Sequence, residues 1–140
     1  MTTSRLAARL GLCFGLQLCT ACVGAPDDTV ALGAGATVEQ HSEGGLVDAT
    51  VALGGATLSR GLNDLVVTLH AEDGSHASLN SVVATMVAHG HHALPPLIVA
   101  QGEAFRVEGL DLFMSGRWNI ALGVELDSQS DSVEFALDVP

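Results

Sequence analysis

Trp118-Asn119-Ile120-Ala121-Leu122-Gly123-Val124-Glu125 and, a short way on, Val133-Glu134-Phe135-Ala136-Leu137-Asp138-Val139 carry a large apolar side chain at every second position. Successive side chains of a β-strand point to opposite faces of the sheet, so this spacing gives one buried and one wet face. The same alternation recurs upstream. Val47, Ala49, Val51 and Leu53 alternate with Asp48 and Thr50, and Leu65, Val67 and Leu69 alternate with Asp64, Thr68 and His70. Ala77 to Val87, Leu97 to Ala100, Phe105 to Val107 and Leu110-Leu112-Met114 complete the set, the last two divided at Gly109. Turn residues separate the runs: Gly54-Gly55, Glu72-Asp73-Gly74-Ser75 and Pro95-Pro96. About seven or eight short strands with turns between them are what an all-β sandwich or small barrel requires, and an antiparallel two-sheet sandwich over residues 46–140 is expected. No segment holds a helical apolar period across three turns. Trp118 is expected to plug the space between the two sheets.

The composition agrees with that reading. The 140 residues suit one domain, and 48% are apolar but only 4% aromatic, so the core must be aliphatic. Five Lys or Arg stand against sixteen Asp or Glu, for a net charge of −11. Such a surface repels phosphate backbones and argues against a nucleic-acid partner, while it raises the local concentration of cations. Acidity of this kind also serves solubility alone.

The first residues read as a processing signal. Arg5 and Arg9 precede Leu10–Val23, an uncharged apolar run of fourteen residues, too short for the roughly twenty that span a bilayer. The run ends in Leu18-Cys19-Thr20-Ala21-Cys22, which is similar to a bacterial lipobox, with Cys19 where a Leu is usual. Residues 1–21 are therefore expected to be a lipoprotein signal peptide and Cys22 the lipidated residue, holding the chain to a membrane on the periplasmic side. Cleavage after Ala25 is the alternative, with Pro26 against it. All three cysteines lie in this segment, so neither disulfides nor thiolate ligands are available to the domain. Residues 22–45, rich in Gly, Ala, Asp and Thr, read as a flexible tether. The likeness of Thr29–Thr37 to Thr50–Thr57 is too short to be a repeat array.

The chemistry concentrates near position 90. Met86 and the run His89-Gly90-His91-His92 lie at the end of a strand, and Met114 ends another. In extended chain His89 and His91 share a side. Thioether and imidazole form a soft-to-borderline ligand set that suits Cu(I), and imidazole alone also suits Cu(II) or Zn(II). Plainer readings stand beside this one. Met86 is in phase with Val82 and Ala84, and Met114 with Leu110 and Leu112, so both fit a core, and the histidines fit a solvated loop. His41, His70 and His76 are isolated in sequence and read as surface residues. No cysteine nucleophile, Gly-x-Ser-x-Gly elbow or His-Glu-x-x-His element occurs in the domain, so an enzyme is not expected.

These elements, in order, resemble a known family. Gly61-x-Asn63, then Met86-x-Ala88-His89-Gly90-His91, then Gly102-x-x-Phe105-x-Val107-x-Gly109-Leu110-x-Leu112-x-Met114-x-Gly116-x-Trp118, look like the YtkA-like/FixH-like domain of exported bacterial proteins. The resemblance covers roughly residues 46–140. It implies an immunoglobulin-like domain outside the cytoplasm, linked to copper handling or respiratory oxidase assembly, with an envelope or oxidase-assembly protein as partner. Carried over by position, Met86, His89, His91 and Met114 would ligate a copper ion, and Gly116 and Trp118 would be structural. His92 stands where a small residue is common and would be an extra ligand at most. Val87 replaces the family's proline after the methionine. The competing expectation is a non-catalytic interaction module of the envelope with no metal.

Overall fold

A computed structural model describes residues 29–30, 32, 36–55 and 57–140. The expected signal peptide 1–21 and the lipidation site Cys22 lie outside the described residues. Within them the chain is all-β, with no helix. The strands are β1 (Thr29–Val30), β2 (Thr37–His41), β3 (Val47–Leu53), β4 (Gly61–Ala71), β5 (Ala77–Met86), β6 (Leu97–Gln101), β7 (Ala104–Leu112), β8 (Gly116–Leu126) and β9 (Gln129–Val139).

Two sheets form an immunoglobulin-like sandwich. One has the order β1-β9-β8-β5 and the other β2-β3-β4-β7-β6; every pairing is antiparallel except β1 with β9. The inward residues of β8 and β9 are all buried, from Trp118 through Val124 and from Val133 through Val139. They pack against Val47, Val51, Leu65, Val67, Val107, Leu110 and Leu112 of the opposite sheet, in one continuous core. Trp118 has no exposed surface, as expected of the plug between sheets.

Two expectations about organisation change. Residues 37–41, inside the stretch expected as a tether, form β2, which pairs residue by residue with β3 from Thr37↔Ala52 to His41↔Asp48. Val38 buries its side chain to 2% exposure, and the backbone pairing to β3 supplies what one apolar residue cannot. The two strands expected either side of Gly109 are one strand, β7. Asn63 faces Leu110 and Leu65 faces Val107, so Glu108 and Gly109 together oppose Asp64. That is a β-bulge, and Gly109 adopts the left-handed φ of 74° that a bulge of this kind requires. The Asp64 carboxylate closes it, accepting from Arg106 Nη2 at 2.9 Å and from the Gly109 N–H at 3.0 Å. The Arg106 hydrogen bond, helped by that of Gly109, holds the Asp64 carboxyl below its usual pKa.

The Gly61-x-Asn63 element is structural. Asn63 is buried, and its side chain knits the entry to β4 by accepting from the Ser59 N–H and donating to the carbonyls of Ser59 and Gly61. Each polar atom of this buried amide therefore has a partner, as burial demands.

Candidate metal site at one end of the sandwich

β5 ends at Met86 and the chain turns back on itself at once. The Gly90 N–H donates to the Met86 carbonyl at 2.8 Å, and the Met86 N–H donates to the His91 carbonyl at 2.7 Å. Past the turn the backbone runs briefly antiparallel to β5: His92 bridges Thr85, and the Ala93 N–H donates to the Ala84 carbonyl at 2.9 Å. This fold-back fixes where each histidine goes. His89 and His91 lie on the exposed side of the turn with ring centres 5.9 Å apart and planes tilted by 41°. His92 turns away to the outer face of β5, where its Nδ1 meets Thr85 Oγ1 at 2.9 Å.

The neighbour that β7–β8 contributes to this pair is Phe113, whose ring centre lies 6.3 Å from that of His91. Strand parity explains it. Leu110 and Leu112 point inward, so the next side chain, Phe113, points out and remains 44% exposed. Its ring also meets Trp118 edge-on at 5.3 Å, and the Trp118 indole N–H donates to the Met114 carbonyl at 2.9 Å. The Phe113-Met114 segment is thereby clamped over the plug residue.

The two methionines belong to the apolar packing of the sandwich. Met86 is a core residue at 4% exposure, cross-strand from Trp118. Its Cε lies so near Gly116 that a Cβ there would stand 3.3 Å away, and Gly116 also takes a φ of 121°, so a side chain is disfavoured twice over. Met114 is partly buried against the margin of the core. So of the expected ligand set, His89 and His91 come together at the surface, Met86 and Met114 belong to the apolar packing at the same end, and His92 faces elsewhere. Among the described residues no three His, Cys, Asp or Glu side chains are gathered closely enough to hold a metal ion. Sequence reasoning missed Phe113; the alternation that marked Leu110 and Leu112 as inward already assigned Phe113 to the outside.

In comparison with known proteins, no family model, no curated protein and no solved structure matches the chain.

Proposed function

We propose that this chain is an exported, lipid-anchored binding domain that takes up a copper ion in the Cu(I) state through His89 and His91, with Met114 supplying a thioether. The observation that carries the reading is the 5.9 Å between the two imidazole centres. A metal–nitrogen bond of about 2 Å puts a ring centre about 3 Å from the ion, so two ligating rings can stand at most about 6 Å apart. The pair falls inside that limit on a turn braced by its own backbone hydrogen bonds. Met114 directly follows Phe113, whose ring centre lies 6.3 Å from that of His91, so its backbone reaches this end of the sandwich while its side chain packs at the core margin. Met86 is a packing residue. The resemblance to YtkA-like/FixH-like domains supports copper as the ion, and delivery to an oxidase-assembly or other envelope protein as the purpose. Acidity favours the approach of cations but adds little at physiological salt, where the screening length is about 8 Å.

Titration of the full chain with Cu(I) against a competing chelator tests this. Wild type is expected to bind one ion, and the His89→Ala/His91→Ala chain to bind at least tenfold more weakly, with an unchanged circular dichroism spectrum. Equal affinity in the two chains overturns the reading.

A second reading has its own support. Leu94 is 79% and Leu97 60% exposed, and both follow the histidine turn closely in the chain. Apolar side chains left in water beside a loop suit an interaction module that docks another envelope protein without metal. That module would function unchanged in the His89→Ala/His91→Ala chain.

A further inference from the structure

The outer face of the five-stranded sheet carries a second set of metal-ligand types, far apart in sequence and joined only by register. His41 on β2 stands opposite Asp48 on β3, and Asp48 stands opposite His70 on β4. Residues directly across an antiparallel pair share a face, so the three form one row, imidazole–carboxylate–imidazole, at right angles to the strands. All three are exposed, and the His41 ring Nδ1 already engages the Asp48 carboxylate. The next row on the same face is Glu39, Thr50 and Thr68. Its two short threonines leave a concavity of about 400 Å³ whose lining includes Glu39, His41, Asp48 and His70.

From this register we infer a divalent-cation site, of the kind that takes Zn(II), formed by His41, Asp48 and His70. The reach of the side chains decides it. Strands about 4.8 Å apart place the Cβ atoms of His41 and His70 about 10 Å from one another, with that of Asp48 midway. An ion bound at the far nitrogen of an imidazole lies about 6 Å from that residue's Cβ, so both rings reach a point about 3 Å above the Cβ of Asp48. A carboxylate spans that height. Two imidazoles, one carboxylate and a water complete the four-coordinate shell that zinc prefers. The three groups are not gathered on one point in the structure. Closing the site needs only side-chain rotation, which exposed residues on a paired, rigid sheet make at little cost. His41 is 85% and Asp48 53% exposed at the side chain, so both have room to turn toward an ion once their mutual contact is exchanged for it. Glu39, two residues before His41 on the same face, adds a negative charge to the entrance. This site is independent of the proposed copper site, since it uses none of its residues and favours a harder ion.

Calorimetric titration of the full chain with Zn(II), carried out in the His89→Ala/His91→Ala background, isolates it. One saturable Zn(II) per chain is expected. Adding His41→Ala or His70→Ala is expected to weaken binding at least tenfold each, Asp48→Asn to weaken it similarly, and His76→Ala to leave it unchanged. Absence of saturable binding in the parent background overturns the inference. So does binding that survives both His41→Ala and His70→Ala, or that is lost with His76→Ala. None of these outcomes depends on whether Cu(I) binds the loop pair.

Discussion

Replacement of Trp118 by alanine is expected to destabilise the chain by about 3–5 kcal/mol, a large share of the roughly 5–15 kcal/mol that holds a domain of this size together. The indole is fully buried between Met86 on β5 and Leu137 on β9, the cross-strand neighbours on its own sheet. The core is otherwise built almost wholly from aliphatic side chains, so nothing nearby is large enough to close the cavity. Truncation also strands the Met114 carbonyl, which accepts the indole N–H, and removes the ring against which Phe113 packs. Denaturant unfolding followed by circular dichroism measures the loss; the chain has one Trp, so fluorescence would lose its reporter in the variant. Trp118→Phe is expected to cost less, because it keeps most of the volume and forfeits the hydrogen bond. A midpoint for Trp118→Ala within about 1 kcal/mol of wild type would show that the indole is not the plug.

Asp131→Ala is the second large effect, about 2 kcal/mol at neutral pH. Asp131 lies on β9, yet its carboxylate holds the β2–β3 connection of the other sheet, accepting from the Gly44 N–H at 2.9 Å and the Leu46 N–H at 3.4 Å. It also takes the Ser132 N–H at 2.8 Å, while the Glu43 N–H donates to the Ser132 carbonyl at 2.8 Å. The carboxylate thus ties the two sheets together at this edge. Partial burial works to raise its pKa, but the hydrogen bonds from Ser42, Gly44, Ser132 and Leu46 together outweigh it and hold the carboxyl below the ordinary 3.8. A carboxyl whose folded pKa is depressed stabilises the fold above its unfolded pKa and loses that contribution as pH falls through the folded one. The gap between wild type and Asp131→Ala should therefore be full at pH 7 and shrink as pH drops below about 4. Unfolding midpoints taken at a series of pH values would show it, and a gap that widens on acidification contradicts this role.

Most of the core was legible in the sequence because its strands are long and their inward positions uninterrupted. Trp118, Ile120, Leu122 and Val124 read as one face and are one face. β2 was not legible. Only Val38 among its inward residues is buried and apolar, so it offers no period to detect, and its pairing with β3 is a property of register. The β7 bulge was hidden for a related reason. Gly109 reads locally as a break, and only Asp64 on the partner strand shows that the ladder continues across it. At the candidate copper site, the extended chain expected through His89 and His91 is instead a turn, and it is the fold-back at Gly90, with its φ of 65°, that sets the two rings near each other. The diversion of His92 to Thr85 did not follow from spacing either, because it depends on the chain folding back along β5. The row His41, Asp48 and His70 was invisible from spacing alone, since two registers must be known before three isolated residues become neighbours.

X-ray absorption at the copper edge of the Cu(I)-loaded full chain probes the central proposal most directly. The account predicts two imidazole nitrogens at about 2 Å and one sulfur near 2.3 Å, with the nitrogen shell lost in His89→Ala/His91→Ala and the sulfur lost in Met114→Leu. A first shell that contains no imidazole, or that keeps its nitrogens in the double variant, would contradict it.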